Sequence, residues 1–149
     1  MSAGRGGLHH VEIWVGDIRA AEPSWGWLLA ALGYECSERW PHGQSWLLGE
    51  TYIVLEAGPD VTTAPHDRLR PGVNHIAFSA GSRSEVDALV GEAPSHGWTL
   101  LFADRHPFAG GPDTYAAYLE DGAGFEVELV ADTVPAIDGP CVEPPRAGG

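Results

Sequence analysis

Leu8-His9-His10-Val11-Glu12-Ile13-Trp14-Val15 and Val73-Asn74-His75-Ile76-Ala77-Phe78-Ser79 are the two stretches whose reading decides the fold. Both alternate with a period of two, which is the signature of a β-strand. In the first, Val11, Ile13 and Val15 share one face, and His10, Glu12 and Trp14 share the other. In the second, Ile76 and Phe78 oppose His75, Ala77 and Ser79. Such strands suit a sheet that packs helices on its apolar side and lines a cavity on the other.

Each stretch leads into a helical pattern. After Asp17, a plausible cap, Ile18, Ala21, Trp25, Leu28, Leu29 and Leu32 recur at three- and four-residue spacing, and Gly33 ends the run. Pro23 costs about 3 kcal/mol inside a helix, so the helix proper is expected to begin there. In the second half Ser82 and Glu85 form a capping-box pattern ahead of Val86, Leu89, Val90 and Ala93. Three strands follow each helix. The first set is Tyr34 to Trp40, Ser45 to Leu48 and Thr51 to Ala57. The second is Trp98 to Ala103, Thr114 to Glu120 and Phe125 to Ala131.

The halves align as a repeat. His10 to His75 is an offset of 65 residues, and Glu56 to Glu128 an offset of 72. The difference falls in the longer loop from Asp104 to Asp113. The expected organisation is one α+β domain, residues 8–132, made of two βαβββ modules (8–57 and 73–131). Linker 58–72 joins them, and flexible tails cover 1–7 and 133–149.

Composition narrows the function. The formal net charge is −13, there is no lysine, and all eight basic residues are arginine. That field repels nucleic acid and anionic membranes. No apolar run approaches the ~20 residues of a membrane span. The N-terminus lacks the apolar core of a secretion signal, so a cytoplasmic protein is expected. Cys36 and Cys141 alone give no disulfide framework.

Four residues of metal-ligand type lie on the strands that open and close the modules: His10, Glu56, His75 and Glu128. His9 is the rival to His10, but the alternation turns it to the apolar side. Glu12 and Glu126 face the same cavity as candidate ligand-binding groups. His106 in the long loop, Tyr115 and Tyr118 are candidates for contacting a bound ligand, and Asn74 for orienting its neighbour. Trp14 faces the cavity, and Trp40 and Trp46 are candidates for the same aromatic wall.

These features resemble the vicinal oxygen chelate superfamily of glyoxalase I, bleomycin-resistance proteins, fosfomycin-resistance enzymes, methylmalonyl-CoA epimerase and extradiol dioxygenases. The resemblance rests on His10 to Ile13, Tyr52 to Glu56, Val73 to Phe78, and Glu120-Asp121-Gly122-Ala123-Gly124-Phe125-Glu126-Val127-Glu128-Leu129. It implies paired modules whose curved mixed sheets form an open cup, and homodimers. It also implies that His10, Glu56, His75 and Glu128 hold one divalent transition metal: Zn, Ni, Co, Mn or Fe.

The activity implied first is a glyoxalase I-like isomerase or lyase acting on a small, oxygenated substrate. The metal would stabilise an enediolate while a glutamate, Glu128 first and Glu56 second, shuttles a proton. The alternative is a bleomycin-resistance-like protein that sequesters a planar metabolite without chemistry. An Fe(II) dioxygenase ranks third. None of the arginines falls clearly in the expected cup, which argues against glutathione as substrate.

Overall fold

The computed structural model describes residues 4–133; most of the proposed C-terminal tail lies outside them. The element order is β1 (His10–Trp14), α1 (Ile18–Ala31), β2 (Glu35–Trp40), β3 (Gly43–Leu48) and β4 (Thr51–Glu56). Then come β5 (His75–Ser79), α2 (Arg83–Glu92), a 3-10 turn (Ala93–His96), β6 (Thr99–Leu101), β7 (Ala116–Glu120) and β8 (Glu126–Val130). The two four-stranded sheets have orders β1-β4-β3-β2 and β5-β8-β7-β6. β1 pairs parallel with β4 and β5 parallel with β8, and every other pair is antiparallel. The expected α+β fold of two βαβββ modules is what the chain adopts.

The alternation sorts the strand faces as anticipated. Ile13, Val15, Ile53, Leu55, Phe78, Val127 and Leu129 are buried in one core that both modules share. Helix α1 ties the halves together. The Trp25 indole N–H donates to Asp121 Oδ2 at 3.1 Å, and Trp98 donates to the Ser24 carbonyl at 3.0 Å. The Trp25 and Trp98 rings meet edge to face at 5.2 Å. Asp121 also shapes the tight turn before β8, since its Oδ1 accepts the Ala123 and Phe125 N–H groups at 2.9 Å each.

Three local expectations are corrected. Helix α1 begins at Ile18, with Pro23 inside it and Asp17 accepting the Arg19 N–H at 2.9 Å. Burial of Trp25, Leu28 and Leu29 at about 1.5–3 kcal/mol each offsets the lost backbone bond. β3 starts at Gly43, because Gly43 and Gln44 pair on both sides, with Trp40 and Arg39 and with Glu56 and Leu55. β6 is confined to Thr99–Leu101; Phe102 at φ 55 turns the chain out of the sheet, a conformation non-glycine residues seldom take. The capping box of α2 forms as read, with both reciprocal bonds present between Ser82 and Glu85. No helix among the described residues is long and apolar enough to cross a membrane.

Candidate functional site

The parallel pairing of β5 with β8 sets His75 opposite Glu126 and Ala77 opposite Glu128. Glu128 is therefore two residues further along its strand than His75, on the same face. The two side chains close that gap, with His75 Nε2 lying 3.2 Å from Glu128 Oε2. Tyr118 is the β7 neighbour of Glu128, and its ring meets the His75 ring edge-on at 5.7 Å. Burial raises the Tyr118 phenol above its ordinary pKa, and hydrogen bonding to Glu128 and that carboxylate's charge push it the same way. The loop before β7 covers this cluster closely. A Cβ on Gly110 would lie 2.7 Å from the Tyr118 hydroxyl and 3.7 Å from Glu128 Oε1.

The His75 ring is oriented from its other side. Asn74 Oδ1 lies 2.8 Å from His75 Nδ1, and Asn74 Nδ2 donates to the Arg68 carbonyl at 3.1 Å. The second contact fixes which end of the amide faces His75, so Nδ1 carries the donated hydrogen. Glu126, on the same face as Glu128, is buried, and Arg68 Nε pairs with its carboxylate at 2.9 Å. The same guanidinium reaches Glu120 at 2.6 Å. Glu126 is therefore a counter-charge to Arg68, and Arg68 is the site residue that sequence reasoning missed. A signal was present: Glu120 and Glu126 are direct cross-strand partners, and like charges in that position call for a cation between them.

The first module does not mirror this arrangement. Glu56 stands opposite Trp14, four residues along β1 from His10, and the residue opposite Glu12 is Val54. Val54 thus holds the place that Glu128 holds in the second module. Four residues of strand span about 13 Å, beyond what one ion can bridge between His10 and Glu56. Glu56 Oε2 instead accepts the Trp40 indole N–H at 2.7 Å. His10 is exposed and stacks on Tyr52 at 4.7 Å. His9 does not point away as the alternation implied. It precedes β1, and its Nδ1 lies 2.9 Å from His10 Nδ1. Glu12 is exposed and accepts the Trp14 indole N–H at 3.1 Å. Trp14 is 48% exposed on the cup face.

Three further candidates are placed by the structure. Trp46 is a core residue, not a wall of the cup: it pairs with buried Ile53 and packs over Gly26 of α1. Tyr115 lies on the helix side, its hydroxyl donating to Asp87 Oδ1 at 2.6 Å and its ring under Arg83. His106 is half-buried in the β6–β7 loop, with its backbone N–H bonded to the Phe102 carbonyl.

Among the described residues no group of three or more His, Cys, Asp or Glu side chains is placed to hold a metal ion. His75 Nε2 and Glu128 Oε2 do fit as two adjacent ligands, since donors at right angles on bonds of ~2.1 Å sit about 3 Å apart. Beside them, where the first strands of the two modules meet, lies a cavity of about 240 Å³ bordered by Glu12, Trp14, Trp25, Asn74, His75 and Phe125. The His66 ring stacks on Phe125 at 4.0 Å along its edge.

The chain belongs to the glyoxalase/bleomycin resistance protein/dioxygenase superfamily, whose profile matches residues 9–118. It is 40% identical over 125 residues to the uncharacterized protein YqjT of Bacillus subtilis (strain 168), covering 83% of this chain and 98% of that one. A candidate glyoxalase from Bacillus halodurans, of known crystal structure, is 44% identical with a TM-score of 0.81, covering 86% of this chain and 97% of that one. Lactoylglutathione lyase from Agrobacterium tumefaciens shares the fold at 18% identity and a TM-score of 0.58, covering 91% of this chain and 100% of that one.

Proposed function

We propose that the chain is a metal-dependent enzyme of the glyoxalase type, an isomerase or lyase for a small oxygenated substrate. The observation that carries this reading is the 3.2 Å approach of His75 Nε2 to Glu128 Oε2, with the imidazole held from behind by Asn74. His75 and Glu128 would hold the ion. The chain works as a homodimer in this reading, and a second copy supplies the remaining ligands. The exposure of His10, Glu12 and Trp14 on the cup face of the first module favours that arrangement. When bound, a divalent ion stabilises negative charge developing on substrate oxygen.

The chain's own groups do the rest. Glu128 Oε1, turned toward the loop at Gly110, is the oxygen placed to take a proton from carbon. Tyr118, kept protonated by burial and by Glu128, is placed to donate to a substrate oxygen. Arg68 is engaged by two carboxylates, so the reading names no glutathione carboxylate partner. The cytoplasmic location belongs to the same proposal, in keeping with two cysteines and no disulfide framework.

Metal analysis of protein purified without added metal, together with its mass in solution, tests this. About one transition-metal ion per chain in a dimer, lost on Glu128→Gln, is the expected result. A chain that takes up no metal under any loading overturns it. A second reading, sequestration of a planar metabolite, is favoured by the aromatic lining of the cavity from Trp14, Trp25 and Phe125. Tryptophan-fluorescence titration showing tight binding of aromatic ligands without turnover, in protein that takes no metal, supports that reading instead.

A further inference from the structure

The linker between the modules carries a residue with two independent attachments to the second sheet. The Arg68 guanidinium spans Glu126 at 2.9 Å and Glu120 at 2.6 Å, and its side chain is only 19% exposed. Its backbone carbonyl accepts the Asn74 amide N–H at 3.1 Å. The segment around it is a formed turn, in which Asp67 Oδ1 accepts the Leu69 N–H at 3.0 Å and the Asp67 carbonyl accepts the Arg70 N–H at 3.2 Å. The carbonyl that Asn74 reads is thus anchored by the ion pairs of the same residue.

We infer that Arg68 and Asn74 are positioning residues that set the tautomer and angle of the His75 ring; this rests on His75 and Glu128 being the working centre. The polarity of the chain of contacts is fixed at its far end. A carbonyl can only accept, so the Asn74 NH2 group must face Arg68 and its oxygen must face His75. Nδ1 of His75 then carries a hydrogen whether or not Nε2 does, and Nε2 is the nitrogen left for the Glu128 side, 3.2 Å from Oε2. Reversing the amide would set oxygen against oxygen at Arg68 and NH2 against Nδ1, and the ring hydrogen would move to Nε2. Two carboxylates facing one another across β7 and β8 are the reason the linker docks here. Without the guanidinium they repel, and with it they hold the turn that holds the amide.

Proton–nitrogen correlation NMR of the His75 ring in metal-free protein, in mildly alkaline buffer, reads this without activity. The wild type is expected to show a ring protonated on Nδ1. Asn74→Leu is expected to move the hydrogen to Nε2 and to weaken metal binding about 10–100-fold, as loss of an outer hydrogen-bond partner does. Asn74→Asp keeps an acceptor toward Nδ1 but loses the bond to the Arg68 carbonyl, so it is expected to retain the Nδ1–H form and to lose its dependence on Arg68. Arg68→Ala is expected to shift the ring in the same direction as Asn74→Leu, with partial return in Arg68→Lys. An unchanged tautomer in both Asn74→Leu and Arg68→Ala overturns the inference. A tautomer that responds to Asn74 but not to Arg68 overturns the linker's part in it. Failure of the functional reading looks different: His75→Ala would then leave metal uptake and ligand binding unaltered, whatever the ring of the wild type shows.

Discussion

The Trp40 indole N–H donates to Glu56 Oε2 at 2.7 Å, and this bond gives Glu56 a structural partner on the far side of the first sheet from His10. Gly43, the strand partner of both residues, permits it, since a Cβ there would come within 2.6 Å of the Trp40 ring. Glu56→Gln keeps an oxygen that can accept this N–H, so it is expected to cost less than about 1 kcal/mol of stability, the worth of a whole hydrogen bond. Its metal affinity should stay near wild type, while Glu128→Gln abolishes binding. Calorimetric titration with metal compares the two, and equal losses would contradict the strand register as the basis of the ligand assignment.

Arg68 is expected to carry more stability than the other arginines among the described residues. Removing one member of a largely buried pair costs about 3–5 kcal/mol, because the remaining carboxylate is left uncompensated. Glu126 has a side-chain exposure of 5%, so Arg68→Ala should fall near the lower end of that range. Urea midpoints measure it. Adding Glu126→Gln to Arg68→Ala should recover part of the loss.

The alkaline side of the stability profile follows from the tyrosines. Tyr118 is raised above its reference of 10.0 by burial first and Glu128 second; Tyr34 is raised by burial, and Tyr115 chiefly by its bond to Asp87. A raised folded-state value means the fold favours the neutral phenol. That contribution is whole below about pH 10 and is lost as pH climbs through the folded-state values. Unfolding midpoints should therefore hold up to about pH 10 and decline above it. Glu128→Gln should lower the Tyr118 ionisation seen by ultraviolet absorbance, with the part due to burial remaining.

Gly110→Ala probes the loop over the centre. The new methyl would lie 2.7 Å from the Tyr118 hydroxyl, so the phenol must move. Ligand binding and turnover should fall while the urea midpoint changes little. A variant that binds and turns over like wild type would remove the loop from the site.

The parts of the site legible in the sequence were those set by the two-residue period of single strands. That period placed His75 and Glu128 on one face and Val127 and Leu129 on the other, as the pairing bears out. It could not give strand register, which decides that Glu56 meets Trp14 rather than His10. Nor could it say that Trp46 points inward, where its ring lies over Gly26; a Cβ there would come within 3.3 Å of it. Arg68 was hidden for a different reason. It sits in a segment without periodicity, and its partners are 52 and 58 residues distant. Pro23 misled because propensity is local, whereas the burial of Trp25 and Leu28 that overrides it is tertiary.

The occupation of the Glu128-equivalent place by Val54 has a consequence for stoichiometry and for change over time. A repeat in which both halves kept the carboxylate would offer two histidine–carboxylate pairs of this register; the described residues offer one. On the proposed function, the first sheet is thereby released from proton handling. Its cup face, from His10 to Trp14, is where substitutions can alter what is admitted while leaving intact the groups that act on it.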